Sequence, residues 1–214
     1  CDKDFVLVRA NGVPTYVVPD IAYHYNKLEV RKFDKAIDVL GADHHGYVPR
    51  LKAALTALGV DASRLDAVLM QMVRLVCNGE VIKASKRSGK AITLVTLLDE
   101  VPIDAARFFF NLREPNSHFD FDLDLAVSES SNNPVYYVQY AYARICSILK
   151  NVGSPDTENV NLNLLNSPEE RELITYIGAY TDEIIQSAKA YDPARITHYV
   201  VELATKFHKF YAAC

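Results

Sequence analysis

Apolar positions in the first 82 residues fall into short runs of strand type, broken by turn residues and by one helical stretch. Phe5 to Ala10, then Asn11-Gly12, then Thr15 to Val18 predict a hairpin, because Asn-Gly supplies the positive φ angles that a tight two-residue turn demands. Ala36 to Leu40 is an apolar run of buried-strand type that ends in Gly41-Ala42-Asp43-His44-His45-Gly46. Pro49 can open a helix at its first position, with Leu51, Leu55 and Leu58 on one face and Gly59 placed to end it. A second apolar run, Ala67 to Val76, leads through Asn78-Gly79 to Glu80-Val81-Ile82. This succession predicts an α/β layer whose sites sit on loops after strands.

The periodicity then changes to that of helices. Asn133 can cap a helix with Pro134 at its first position, and Val138, Ile145 and Leu149 mark its apolar stripe. Ser167-Pro168-Glu169-Glu170 is a capping box, followed by Leu173, Ile177, Ile184 and Ala188 on one side. Asp192-Pro193 starts a third helix, in which Ile196, Tyr199, Val200, Leu203, Phe207, Phe210 and Tyr211 recur at spacings of three and four. A polar, Asn-rich connection, Gly153 to Ser167, joins the first two. The second half therefore predicts a helical bundle, truncated because its last helix carries no stop signal. The expected fold is α/β followed by all-α.

Composition narrows the function classes. Half of the 214 residues are apolar, enough for one large core or two modest ones, which excludes disorder. No apolar stretch approaches the roughly 20 residues that a bilayer requires, and the opening Cys-Asp-Lys-Asp lacks the character of a signal peptide. Cys1, Cys77, Cys146 and Cys214 are far apart with no CxxC pair, which fits a reducing cytosol better than a disulfide framework or zinc knuckle. Residues 1–115 hold 16 Lys and Arg against 14 Asp and Glu, a balance of +2; residues 116–214 hold 7 against 13, a balance of −6. Binding to RNA must therefore use local patches.

Lys83-Ala84-Ser85-Lys86-Arg87, followed by Ser88-Gly89-Lys90, carries the most chemistry. Two ammonium groups three positions apart, with a Ser between and a Gly beyond, suit a loop that neutralises phosphates as charge builds in a transition state. On spacing alone, a solvated basic turn is the slightly favoured account. Asp43, His44 and His45 invite a metal site, but neighbours along an extended chain point to opposite faces and do not converge, so no metal is expected. Asp120, Asp122 and Asp124 start like a calcium loop and fail at Leu125 and Ser131; solvated acids alternating with buried Phe119, Phe121 and Leu123 account for them better. Tyr136, Tyr137, Tyr140 and Tyr142, beside Gln139 and Arg144, could stack on unpaired bases, against the plainer alternative that Tyr137 or Tyr140 packs in the core.

Five strings in order, Pro14-Thr15-Tyr16 through Asp20-Ile21-Ala22-Tyr23, Gly41 to Tyr47, Lys83 to Arg87, Ser117 to Asp122 and Asn133 to Ala141, resemble bacterial arginyl-tRNA synthetase across essentially the whole chain. The resemblance implies the second half of a Rossmann-like class I synthetase catalytic domain in residues 1–115 and an incomplete helical anticodon-binding domain in 116–214. It implies ATP, with Mg²⁺, as substrate, and arginine and tRNA(Arg) as partners, in a monomeric cytoplasmic parent without membrane attachment. Lys83, Ser85 and Lys86 then match the K-M-S-K-S loop, with Ala84 at its Met and Arg87 at its last Ser, and Lys86 as the main catalytic cation. Tyr16 and Asp20 match the family's arginine-binding pair, and where its third specificity residue is often a glutamine this chain offers Asp43 and His44 instead, His44 being the candidate for arginine. The chemistry agrees, since a carboxylate takes a guanidinium bidentately and a tyrosine orients or stacks it. Without the resemblance, Tyr16 packed in a sheet and Asp20 capping a helix after Pro19 would be preferred.

Gly41, Asp43, His45, Val81 and Ile82 are the implied ATP contacts, and Tyr136, Gln139 and Arg144 the tRNA candidates. No H-x-G-H string of class I synthetases occurs, so a C-terminal portion that cannot activate arginine alone is expected. A stand-alone RNA-binding module, or a class I synthetase for another amino acid, would explain part of the same pattern.

Overall fold

The computed structural model describes residues 5–82, 93–153 and 158–214. Lys83, Ser85 and Lys86 lie outside the described residues. The chain divides into two compact units, the first Cys1–Met72 with Pro115–His118, the second Val73–Glu114 with Phe119–Cys214.

The first unit opens on the Asn11-Gly12 turn, with Gly12 at φ +77°. The arms around it close a single antiparallel bridge, Val8 to Pro14, together with Thr15 N–H donating to the Leu7 carbonyl at 2.8 Å. Thr15 to Val18 does not continue as a strand: α1 begins at once and runs Val17–Tyr25. Pro14 has no N–H to extend a ladder, while Pro19 in the first turn is compatible with helix. Val17, Ile21, His24 and Leu28 turn inward at helical spacing, and α1 passes into a π-helical turn, Asn26–Val30, before β1, Ala36–Gly41. After a 3₁₀ turn, Ala42–Gly46, comes α2, Tyr47–Ala57.

Helix α2 starts two residues earlier than Pro49 suggests. Leu51 and Leu55 are buried, Leu58 is exposed beyond the end, and Gly59 adopts φ +78° as a helix terminator should. β2, Leu65–Met70, pairs parallel to β1 from Ala36 with Leu65 to Gly41 with Met70, completing a strand–helix–strand unit. Leu28, Ala36, Leu51, Leu55, Val60 and Leu65 form its core, with Ile21 and Tyr47 packed against it. Burying each such aliphatic side chain stabilises by about 1.5–3 kcal/mol.

The apolar run 67–76 is two strands, not one. Gln71 leaves the ladder to donate its N–H to the Pro115 carbonyl at 2.8 Å. β3, Val73–Cys77, then belongs to a different sheet of order β4-β3-β5, with β4 at Glu80–Val81 and β5 at Phe119–Asp122. Asn78 and Gly79 turn β3 into antiparallel β4 with φ of 52° and 74°. β5 lies parallel to β3 and buries Phe121, whose ring meets Phe109, Phe110 and Phe119 at 5.0–6.1 Å.

The acids of this segment have structural tasks rather than free solvation. Asp120 pairs with Arg74, Asp122 caps α5 (Leu123–Val127) by accepting from Leu125 N–H, and Asp124 accepts from Asn78 N–H. α3, Leu94–Glu100, and α4, Ile103–Phe110, cover the same core.

Helices complete the second unit. Asn133 caps α6, Pro134–Val152, by accepting from Val135 and Tyr136 N–H, and its amide donates back to the Ser128 carbonyl at 2.8 Å. The Ser167–Glu170 capping box opens α7, Pro168–Gly178. A separate helix, α8, Tyr180–Ala190, carries Ile184 and Ala188, so the single helix expected from Leu173 to Ala188 is interrupted at Gly178-Ala179. α9, Ala194–Ala213, packs on α6, α7 and α8 and buries Tyr199, Ala204 and Phe207. Ile145 and Leu149 of α6, expected on the inward stripe, are exposed. No helix among the described residues is long and apolar enough to cross a membrane.

Candidate arginine and nucleic-acid sites

Helix α1 presents Tyr16 at its N-cap and Asp20 in its first turn. Neither residue takes the plainer role open to it: Tyr16 is 70% exposed, and Asp20 lies inside the helix rather than capping it. Tyr47, at the start of α2, joins the two. Its hydroxyl donates to Asp20 Oδ2 at 2.6 Å, and its ring lies 5.8 Å from Tyr16 and 6.0 Å, edge-on, from His44. Tyr16, Asp20 and His44 thus converge around Tyr47, which ends the Gly41–Tyr47 motif.

Burial pushes the Tyr47 phenol well above its ordinary pKa, with the Asp20 carboxylate beside it adding to the rise. Tyr47 is therefore a proton donor at neutral pH, and its base packs on the core of the first unit. The arrangement is a half-buried carboxylate with one oxygen tied down, flanked by an exposed aromatic face. A guanidinium can hydrogen-bond such a carboxylate and stack on such a ring.

Beneath it lies a charged cluster. His24, 5% exposed, has Nδ1 2.8 Å from the Asp20 carbonyl and Nε2 2.7 Å from Asp38 Oδ2; Lys27 Nζ reaches Asp38 Oδ1 at 3.4 Å. Gly41, at the C-terminal end of β1, leads into the turn bearing Asp43, His44 and His45, all exposed. A Cβ on Gly41 would come within 2.6 Å of Asp43 Oδ1, so the turn needs glycine there or a displaced Asp43. Val81 and Ile82 belong to the second unit, where Ile82 packs on the core and donates its N–H to the Leu75 carbonyl. Among the described residues no group of three or more His, Cys, Asp or Glu side chains is placed to hold a metal ion.

The helical unit carries a groove of 520 Å³ lined by Ser131, Tyr136, Tyr137, Tyr140, Arg144 and His208. Tyr136 and Tyr140 stack with rings 6.4 Å apart at 11°, and His208 continues the stack 5.8 Å from Tyr140. The Arg144 guanidinium lies over Tyr140 at 5.2 Å and over Tyr211 at 4.2 Å. Burial, reinforced by Arg144, holds the His208 imidazole below its ordinary pKa, so the ring is neutral at physiological pH. Tyr136 and Arg144 come together here at i and i+8. Gln139 lies instead on another α6 face, over an apolar groove with Tyr142, Ile145 and Leu203. The alternation 136, 140, 144 was available from the sequence; the contributions of His208 and Tyr211 depend on how α9 packs.

Residues 138–214 match the DALR anticodon binding domain family. Over its whole length the chain is 54% identical to arginine–tRNA ligase of Acetivibrio thermocellus and 52% identical to that of Ruminiclostridium cellulolyticum, covering 39% of each. Over its whole length the chain is similar to arginine–tRNA ligases. It spans about two fifths of the length of the curated relatives it matches. Among solved structures, a Campylobacter jejuni protein assigned as an arginyl-tRNA synthetase superposes with a TM-score of 0.86 at 34% identity, over 100% of this chain and 47% of that one. The Thermus thermophilus arginyl-tRNA synthetase gives 0.79 at 22% identity, over 98% of this chain and 43% of that one, which is a likeness of fold. The architecture is accordingly similar to that of a C-terminal part of arginyl-tRNA synthetases, an α/β portion followed by a helical portion that matches the DALR family.

If Tyr47 holds Asp20 for a guanidinium, Tyr47→Phe in the full-length protein should raise the KM for arginine. A charge-assisted hydrogen bond contributes about 1.5–3 kcal/mol, so the expected rise is about tenfold. Steady-state aminoacylation at varied arginine checks it, with the KM for ATP as the internal control.

Proposed function

We propose that the protein to which this chain belongs activates arginine with ATP and transfers it to tRNA(Arg). The observation that carries this reading is the Tyr16–Asp20–Tyr47 cluster, a carboxylate oriented by a phenol beside an exposed aromatic face. It matches the chemistry of a guanidinium, and the names of the relatives agree with it. Asp20 would take the guanidinium, Tyr16 its flat face, and His44 would close the side nearest β1.

Gly41, Asp43 and His45, on the turn after a parallel strand, are suited to contact the nucleotide, since such turns leave backbone N–H groups free for anionic oxygens. MgATP is substrate in this scheme, and the metal would be held largely by the phosphates. Lys83, Ser85 and Lys86 would supply the positive charge and hydroxyl that meet the departing pyrophosphate. Residues 1–115 would form the catalytic portion and 116–214 the tRNA-binding portion of a cytoplasmic, monomeric enzyme.

The stacked ring ladder Tyr136–Tyr140–His208, with Arg144 laid over Tyr140, suits an unpaired base and its phosphate, and Gln139 on the neighbouring face would extend the contact. Aromatic stacking contributes about 1–3 kcal/mol per base. Arg144→Ala should therefore weaken tRNA binding about tenfold by filter binding or anisotropy, and flatten its salt dependence by about one ion. The KM for arginine should stay at the wild-type value.

The assay of the proposal as a whole is aminoacylation of bulk tRNA by the full-length protein with each of the twenty amino acids. Charging with arginine alone is the expected result. Charging with a different amino acid, or RNA binding without charging, would replace this reading with one of its two alternatives.

A further inference from the structure

We propose that His24 is a positioning residue for the arginine site, fixing the first turn of α1 against β1 so that the Asp20 carboxylate stands where a guanidinium can meet it. This rests on the reading of Asp20 as the guanidinium partner. His24 lies on the inward stripe of α1 with Val17, Ile21 and Leu28, where an apolar side chain would continue the pattern. Instead the position holds an imidazole, 5% exposed, with both nitrogens engaged.

Nδ1 is 2.8 Å from the Asp20 carbonyl oxygen and Nε2 is 2.7 Å from Asp38 Oδ2. Nδ1–H donates to the Asp20 carbonyl, and Nε2 sits between the Asp38 carboxylate and the Lys27 ammonium. Asp38 faces the ring from β1, and Lys27, one helical turn on, reaches both Asp38 Oδ1 at 3.4 Å and His24 Nε2 at 3.3 Å. The buried group is an imidazole and an ammonium around one carboxylate. That is an expensive device for mere packing, because buried ion pairs often stabilise no better than apolar residues of similar volume.

The geometry points to precision instead. Asp20 is held twice: Tyr47 binds its carboxylate, and His24 binds its main-chain carbonyl. His24 in turn hangs from a residue of β1, whose C-terminal end carries the turn of Asp43 and His44. One imidazole thus ties the helix presenting Asp20 and Tyr16 to the strand presenting His44. A displacement of about 1 Å in such a constellation costs on the order of 100-fold in rate.

The test uses the full-length protein. His24→Leu continues the apolar stripe, and Asp38→Asn keeps the shape of the acceptor while removing its charge. Each should raise the KM for arginine, the first by about tenfold, with the KM for ATP and the thermal midpoint close to wild type. Because the two residues act as one unit, the double variant should be no worse than about twofold beyond the weaker single variant. Asp20→Ala is measured in parallel.

An unchanged arginine KM in Asp20→Ala would remove the arginine-site reading. A raised KM there with unchanged values in His24→Leu and Asp38→Asn would remove only the role of His24. Should His24→Leu fail to fold, Asp38→Asn decides alone. A parallel loss of arginine KM, ATP KM and thermal midpoint in the variants would also overturn the inference, as it would mark a purely structural contact.

Discussion

Replacing Asp20 with alanine in the full-length protein is expected to raise the KM for arginine by about 30-fold or more, because removing one partner of a desolvated charge pair costs about 2–5 kcal/mol. The effect should be confined to arginine. Asp20 is half-buried, its Oδ2 already accepts from Tyr47 at 2.6 Å, and the remaining lone pairs are the ones available to a cation. Uniform loss of binding raises KM, and loss of an interaction made only in the transition state lowers kcat. A guanidinium remote from the reacting carboxylate belongs to the first class, so kcat should fall much less than KM rises. Steady-state kinetics at varied arginine and saturating ATP separates the two, and an unchanged KM removes Asp20 from the site.

Lys86→Ala should show the opposite signature. Loss of one preorganised donor to a developing charge lowers kcat by about 10²–10³. The proposed role of Lys86 is to meet charge that builds on the pyrophosphate, so KM for arginine should be little altered. Single-turnover formation of the adenylate is the direct readout. Lys83→Ala, three residues earlier, should lower the same rate by less. Equal, full activity in Lys86→Ala would return Lys83 to Lys90 to the status of a solvated basic turn.

Much of the architecture is legible in local chemistry. Both Asn-Gly pairs turn the chain, Asn78-Gly79 with positive φ at both residues and Asn11-Gly12 at the glycine alone, and Gly59 ends a helix with the positive φ that favours glycine there. Asn133-Pro134 and Ser167 with Glu170 start helices because their side chains satisfy N–H groups within three residues. The features that escaped depend on distant partners. The run 67–76 divides because Gln71 bonds to Pro115 and Asn116, more than forty positions away. Nothing inside 67–76 signals that.

The break between α7 and α8 is a second such case. It falls at Gly178-Ala179 without a proline, where the packing of both helices on α9 decides the direction of the chain. At the candidate arginine site, spacing places Tyr16 and Asp20 on one helix, and likeness to a family assigns them a ligand. Tyr47 and His24 become visible only when α1 packs on α2 and β1. A tyrosine at the start of a helix and a histidine on an apolar stripe have no distinctive sequence signal by themselves. The same holds for His208, which joins Tyr136 and Tyr140 only through the crossing of α9 over α6.

The central claim is that a carboxylate on α1 selects a guanidinium by its charge. Citrulline has the shape of arginine and no charge, so the ratio of its dissociation constant to that of arginine isolates the contribution of Asp20. Titration calorimetry on the full-length protein should give a ratio of about 100 or more, since each 1.4 kcal/mol of charge recognition is tenfold. In Asp20→Asn that ratio should fall close to one; a ratio left at its wild-type value would contradict the account.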